Sequence, residues 1–385
     1  MPTDLSEFEE IRPYNDEEAV AALNKYAGHP MIAQISLYFY PDEPSDYLCQ
    51  KIRNIKNIDD FQEFIMIDIL ERIIRKSAGT FSYSGIEHLI NSNGKFLALT
   101  NHRDIVLDPA FLQLILFKNG LPFSEIAVGS NLLQNEFIET LIRSNRMIKV
   151  LRGIPVRELY ITSQLLSKYI RDSITSGRSS VWIAQRQGRS KNGVDSTEQG
   201  LIKMLDMSGE KGFVEDFKDL NIIPMSISYE YDPCDILKAR EILISKTQKY
   251  IKQPGEDTNS ILTGIRKYKG NIHIAIGSPL TDAEINAGAL CNVANDRYRW
   301  MRHLIDNRII INYKLWKTNY IAYDLLHGQS IFEKFYTELD KSNFEAYVEK
   351  QLDSVEPELN RDELRDIFLH IYANPIVSKE SLFNK

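Results

Sequence analysis

Cysteine is scarce in this chain: Cys49, Cys234 and Cys291 are the only three among 385 residues, and they lie far apart. So few and scattered a set builds neither a disulfide framework nor a thiolate metal site, and it fits a reduced, cytoplasmic setting. Long apolar runs are missing as well. The longest nearly unbroken one, Ala110 to Phe117, is too short to span a bilayer. The acidic opening from Met1 to Glu18 has no apolar centre of the kind a secretory signal needs. No Gly-x-Ser-x-Gly elbow, no Asp-Phe-Gly and no glycine-rich phosphate loop occurs, which sets aside elbow-type serine hydrolases and protein kinases. Internal repeats and low-complexity tracts are lacking too.

Hydrophobic residues make up 43% and charged residues 26%, which is ordinary for a folded chain. The length suffices for one large α/β domain with helical additions, or for two domains. The net charge of −7 hides a reversal of sign. Between Arg143 and Lys191, eleven basic residues stand against Glu158 and Asp172, so that segment is +9 and the rest is −16. A positive stretch in an acidic chain points to an anionic ligand, a phosphorylated substrate or an anionic membrane surface. No nucleic-acid module accompanies it. The plainer reading places several of these charges on a solvated helix face.

Residues 1–78 read as a helical lead-in. Glu17 to Tyr26 is a short helix stopped by Gly28, and Ile58 to Lys76 a longer one with Phe61, Phe64, Ile65, Ile69 and Ile73 on one face. From 79 to 281 strands alternate with helices. The candidate strands are Phe81–Gly85, Lys95–Thr100, Glu125–Val128, Met147–Leu151, Ser180–Ala184, Ile222–Ser228 and Asn271–Gly277. This alternation predicts an α/β fold with a mixed, largely parallel sheet flanked by helices. Residues 282–385 turn helical again, ending in a helix over Arg361 to Tyr372.

Chemistry concentrates at Ala98-Leu99-Thr100-Asn101-His102-Arg103-Asp104-Ile105-Val106-Leu107-Asp108-Pro109. Asp108-Pro109 has the look of an N-cap followed by a first-turn proline, with Gly120 able to end the helix. His102 then falls at the carboxyl end of a strand before a helix, where open α/β sheets place their ligand crevices. An imidazole held by a carboxylate is a general base near neutral pH. The plain alternative is a loop histidine bonded to a capping aspartate. His102-Arg103-Asp104 also has the look of the kinase catalytic loop, but Pro109 stands where that loop needs asparagine.

Three later stretches end in groups suited to an anion or an alcohol. Arg152-Gly153 leaves a strand and presents a guanidinium fork. Gln187-Gly188-Arg189-Ser190-Lys191-Asn192-Gly193 combines turn glycines with charge and a hydroxyl, although a solvated basic hairpin would have the same composition. Pro224 in Ile222–Tyr231 predicts a strand start or an edge beside a crevice.

Asn-His with a nearby aspartate, a strand ending in arginine, a glycine-basic loop and an Ile-Pro strand, in this order, resemble the four motif blocks of the glycerolipid acyltransferase superfamily. That superfamily includes the glycerol-3-phosphate and 1-acylglycerol-3-phosphate acyltransferases. The likeness spans roughly residues 80–280. It implies His102 as general base, with an aspartate orienting it. Arg103, Arg152, Gln187, Gly188, Arg189, Ser190 and Lys191 would bind the acceptor's phosphate and glycerol, and Pro224 would shape the acyl side. Two departures stand out. Five residues separate His102 from Asp108 where the family has four, so either a bulge brings Asp108 into place or Asp104 substitutes for it; Leu107-Asp108-Pro109 keeps the family's local sequence, which favours Asp108 over Asp104. Gln187 lies at or beside the place of a glutamate.

The resemblance therefore implies an O-acyltransferase that moves a fatty acyl group from acyl-CoA or acyl carrier protein to glycerol 3-phosphate or a lysophospholipid. It would need no metal or resident cofactor and would attach peripherally to the inner face of the cell membrane. An aminolipid acceptor, or a catalytically inactive homologue that binds lipid or acyl carrier, is the alternative. His29, His88, His273, His303, His327 and His370 are assigned no chemistry.

Overall fold

The computed structural model describes residues 5–92, 94–133, 135–328 and 330–383. Among the described residues seven strands form one sheet: β1 Phe81–Ser84, β2 Leu97–Thr100, β3 Glu125–Gly129, β4 Met147–Val150, β5 Val181–Ala184, β6 Ile222–Tyr229 and β7 Ile272–Ile276. Each coincides with an expected run to within two residues. The order is β1-β7-β6-β2-β5-β3-β4. β6, β2, β5, β3 and β4 run parallel, β7 is antiparallel to β6, and β1 is parallel to β7. The protein is α/β, with a mixed and mostly parallel sheet between helices.

Alternation along the central strands sends side chains into two cores. Ala98 and Trp182 enter one, with Phe111, Leu112 and the N-terminal Leu23, Ile52, Ile65 and Ile73. Leu97, Leu99, Val181 and Ile183 enter the other, with Ile170, Leu205, Met301 and Ile305. A third cluster lies off the sheet. It joins Ile236 and Ala239 to Ile321, Phe344, Phe368 and Tyr372, from the helices Asp235–Ser245, Lys317–His327, Glu338–Leu352 and Arg361–Phe383. The last of these runs eleven residues beyond its expected end at Tyr372 and carries Pro375 within it.

Two local expectations need correction. The helix from Ile58 contains a π segment, Gln62–Ile67, between Ile58–Phe61 and Asp68–Ser77. A wider turn rotates the following residues off a 3.6-residue stripe, so Phe64 is 52% exposed while Phe61, Ile65 and Ile73 stay buried. Pro224 is not at an edge. It is buried in β6, between β2 and β7, and pairs with Leu99. Its carbonyl accepts from Gly277 N at 2.9 Å, so the side without an N–H faces β7 just past that strand's end. The reciprocal bond that a residue with an N–H would give to Gly277 is missing, at the very end of the β6–β7 ladder, where its loss interrupts no further pairing.

The third cluster is fastened to the end of β2 by buried charge. Lys238 Nζ donates to both Asp232 oxygens, at 2.8 and 2.6 Å, and to Arg103 O at 2.9 Å. Burial alone would raise the Asp232 carboxyl, but Lys238, with help from Arg103, holds it below its ordinary range. Lys238→Met leaves that carboxylate buried without its cation and should lower the unfolding free energy by about 3–5 kcal/mol. Urea denaturation measures this; a loss under about 1 kcal/mol would mean Asp232 is satisfied by other groups.

Candidate functional site

The sheet holds the loop after β2 through a side chain that mimics backbone. Asn101 Nδ2 donates to Ile227 O at 3.0 Å and its Oδ1 accepts from Ile227 N at 2.7 Å, which extends the β2–β6 ladder by one rung. The chain then turns at Asp104, whose Oδ1 accepts from Val106 N at 2.9 Å and Leu107 N at 2.8 Å. The helix that follows is Leu107–Lys118. Asp104 therefore satisfies its first N–H groups, and Asp108 is its second residue rather than its N-cap.

That position decides which aspartate meets the imidazole. Side chains in a helix lean toward its N-terminus, so the Asp108 carboxylate points back over the loop. Its Oδ2 lies 2.9 Å from His102 Nδ1 and accepts from Arg103 N at 2.6 Å and Asp104 N at 2.9 Å. Its Oδ1 accepts from the Tyr229 hydroxyl at 2.8 Å. Asp104 makes no such contact with the ring. With a carboxylate at Nδ1, the neutral ring carries its proton there, and the lone pair sits on Nε2. None of the described residues hydrogen-bonds Nε2. The edge of Trp182 lies against the ring, 6.0 Å between centroids, and the His102 side chain is 13% exposed.

Burial governs the charges around this pair. Burial, reinforced by the Asp108 carboxylate, pushes the Asp104 carboxyl up. The Tyr229 hydroxyl is pushed well above its ordinary range by burial and by Asp108 and Asp104, so it stays a donor. Burial opposes the charge of Arg189, but Cys234, Asp104 and Asp232 outweigh it and raise that guanidinium. Arg152 is shifted down by burial, with Glu198 opposing.

Of the residues expected to bind an acceptor, Arg152 and Gln187 are brought together: Arg152 Nη1 donates to Gln187 Oε1 at 3.2 Å. β4 lies three strands from β2, about 14 Å at ordinary strand spacing, so the arginine reaches back across β3. Gly188 is exposed, with φ +72°. Ser190 N donates to His102 O at 2.8 Å, which docks the loop on the histidine, while its hydroxyl donates to Val194 O at 2.8 Å. Lys191 is paired with Glu241. Arg103 is buried, with Nη2 on Asp195 Oδ2 at 2.6 Å and Gly193 O at 3.1 Å, and it stacks on Tyr313. Pro224 is level with Leu99, three residues short of His102. The geometry thus gathers His102 and Asp108 with the loop of Gln187, and it commits Arg103, Ser190, Lys191 and Pro224 to structural contacts.

The basic excess is also largely spent. Arg143 and Arg171 bond to backbone carbonyls, Arg146 and Lys149 pair with Asp59 and Glu139, Lys168 with Glu7, and Arg178 bonds to Ser173. Among the described residues Arg152, Arg157, Arg186 and Arg189 remain without an ion pair.

Twelve buried side-chain polar atoms among the described residues lack a partner, and seven belong to this neighbourhood: Arg103 Nε, Asp104 Oδ2, Trp182 Nε1, Gln185 Nε2, Arg186 Nε, Arg189 Nη1 and Asp195 Oδ1. Native interiors pair such atoms, and here they cluster around the loops that follow β2 and β5. Sequence reading assigned no role to Asn101, Trp182, Asp195 or Tyr229, although Asn101 and Tyr229 directly follow expected strands and Trp182 lies within one. Among the described residues no three His, Cys, Asp or Glu side chains converge as a metal would need. Two clefts of about 280 and 410 Å³ lie elsewhere, around Asp216 and Arg297 and around His88 and Lys218.

The glycine-basic loop is braced from outside by the last helix. Asn374 Nδ2 donates to Asn192 O at 2.7 Å. A Cβ on Gly193, whose φ is +80°, would sit 2.2 Å from Ile371 O. Gly193→Ala should therefore loosen the loop. Hydrogen exchange of amides 188–195 is expected to quicken at least about tenfold while β2 and β5 amides stay protected; unchanged exchange would show that the helix does not hold it.

No family model matches the chain, and no curated protein does either. Among solved structures it is similar to the 1-acyl-sn-glycerophosphate (LPA) acyltransferase PlsC from Thermotoga maritima, with 11% identity and a TM-score of 0.41 over 75% of this chain and 94% of that one. Agreement at that level carries no weight for activity, and the fold stands on the strand order given above. Among the described residues no helix is long and apolar enough to cross a membrane.

Proposed function

We infer that the protein is an O-acyltransferase whose general base is His102. The observation that carries this reading is the Asp108 carboxylate, which fixes Nδ1 at 2.9 Å and leaves Nε2 without a bond among the described residues. In the proposed reaction Nε2 takes the proton of an acceptor hydroxyl as its oxygen attacks the carbonyl carbon of an acyl thioester. Asp108 stabilises the imidazolium that forms. The carbon–sulfur bond then breaks, and the proton passes from Nε2 to the departing sulfur, which releases the thiol and the ester. Arg152, oriented by Gln187, and Arg189 would hold an anionic group on the acceptor.

The acceptor is proposed to be glycerol 3-phosphate or a 1-acylglycerol 3-phosphate, and the donor acyl-CoA or acyl carrier protein. The support is the charge left at the strand ends, together with the order of the four sequence blocks. The protein would work peripherally at the inner face of the cell membrane, in phospholipid synthesis.

Incubation with long-chain acyl-CoA or acyl carrier protein and a panel of phosphorylated glycerol acceptors should give an acylated product, identified by mass spectrometry. His102→Ala is expected to lower kcat/KM at least about 100-fold with the fold intact by circular dichroism, although it takes one donor from the buried Asp108 carboxylate. Activity within threefold of the parent would remove His102 from the chemistry. Arg152→Ala should raise the acceptor KM roughly 10- to 100-fold and leave kcat nearly as it was. An unchanged KM would take Arg152 out of the acceptor site.

A further inference from the structure

The helix Val156–Thr175 follows β4 and begins at the carboxyl end of the parallel strands, yet its first ten residues contain no buried side chain; burial starts at Leu166. In this free stretch Val156 is 84% exposed, Leu159 42%, Tyr160 64% and Ile161 57%. At 3.6 residues per turn Val156, Leu159 and Tyr160 share one face and Ile161 extends it. Arg157 falls between Tyr160 and Ile161, and Glu158 falls on the opposite side. Arg157 is exposed and forms no ion pair among the described residues. A second exposed apolar side chain is Ile251, 71% exposed, near the exposed Lys249 in the segment before the helix Glu256–Arg266, whose Asp257 accepts from Asn131 just past β3.

We propose that this rim, the free start of the Val156–Thr175 helix together with Ile251, is the surface that docks on an anionic lipid bilayer. The proposal rests on the acyltransferase reading for its purpose, since it would put Arg152 and the Gln187 loop at the lipid headgroups. A bilayer fits the observed pattern in two respects. Large apolar side chains with a tyrosine among them suit the boundary between headgroups and acyl chains. A cation set within the apolar face reaches anionic headgroups from there, while the anion is turned away. A protein partner would more often bury such a face against a groove of opposite charge pattern, and the single cation here is left unpaired.

Flotation of the full chain with vesicles of phosphatidylcholine, alone or mixed with phosphatidylglycerol, tests this directly. The parent protein should float with the mixed vesicles. The variant Val156→Ser/Leu159→Ser/Tyr160→Ser/Ile161→Ser should partition at least roughly tenfold less, with an unchanged circular dichroism spectrum, because none of these side chains is packed. Arg157→Gln should lose about fivefold on mixed vesicles and little on phosphatidylcholine alone. His102→Ala should float like the parent, so inactivity and failure to dock are separate outcomes. If vesicles bind but no acceptor is ever acylated, the catalytic reading falls and the docking surface stands. The proposal is overturned if the parent does not float, if the quadruple variant floats equally well, or if sedimentation shows a dimer that the same substitutions dissolve.

Discussion

One buried carboxylate organises the loop on which any chemistry depends. Asp108 accepts from His102 Nδ1, Arg103 N, Asp104 N and the Tyr229 hydroxyl. An anion withdrawn from water is tolerable only when its lone pairs are taken up, and these four contacts take them up with three consecutive residues and a neighbouring strand. The loop cannot relax without stripping a donor from that charge. The position in the first turn of a helix adds the favourable end of the helix dipole. Orientation of the imidazole is thus a by-product of burying Asp108 well, and Tyr229 acts as a positioning residue because it fixes the second oxygen.

Around this carboxylate lies a second shell of buried charge. Arg103 is paired with Asp195 and Lys238 with Asp232, and Lys238 also holds Arg103 O. Pairs of this kind contribute little net stability but cost much when one partner is removed, so their main consequence is register. They lock the β2 loop to the β5 loop, which Ser190 N already docks on His102 O. They also lock it to the Asp235–Ser245 helix and, through that helix, to the C-terminal helices. The precision of the site therefore depends on helices outside the 80–280 segment that carries the sequence resemblance.

The seven strands were legible because short apolar runs bounded by glycine, proline and polar residues have few other ways to fold. His102 was legible, and the preference for Asp108 over Asp104 rested on the resemblance of Leu107-Asp108-Pro109 alone. Deciding between them takes the helix start, and the helix start depends on Asp104 satisfying Val106 and Leu107. Phe64 misled because a π segment is invisible to a 3.6-residue period. In the basic stretch the sequence shows the charges but not their partners. Arg143, Arg146, Lys149, Lys168 and Arg171 find theirs in Arg12 O, Asp59, Glu139, Glu7 and Asp216 O, all but Glu139 distant in sequence. Tyr229 gave no signal beyond a hydroxyl at the end of an apolar run.

The glutamine at position 187 acquires a positive sense from its contact. A carboxylate there would pair with Arg152 and cancel much of its charge before a ligand arrived. An amide oxygen instead accepts the Nη1 proton at 3.2 Å and orients the fork without neutralising it. Burial already disfavours the charge on Arg152, and Glu198 offsets that only in part. An oriented, partly buried guanidinium with no carboxylate bonded to it gains more from an incoming anion than a paired one does. Glutamine at position 187 therefore leaves the Arg152 charge open to an anion that a carboxylate there would exclude.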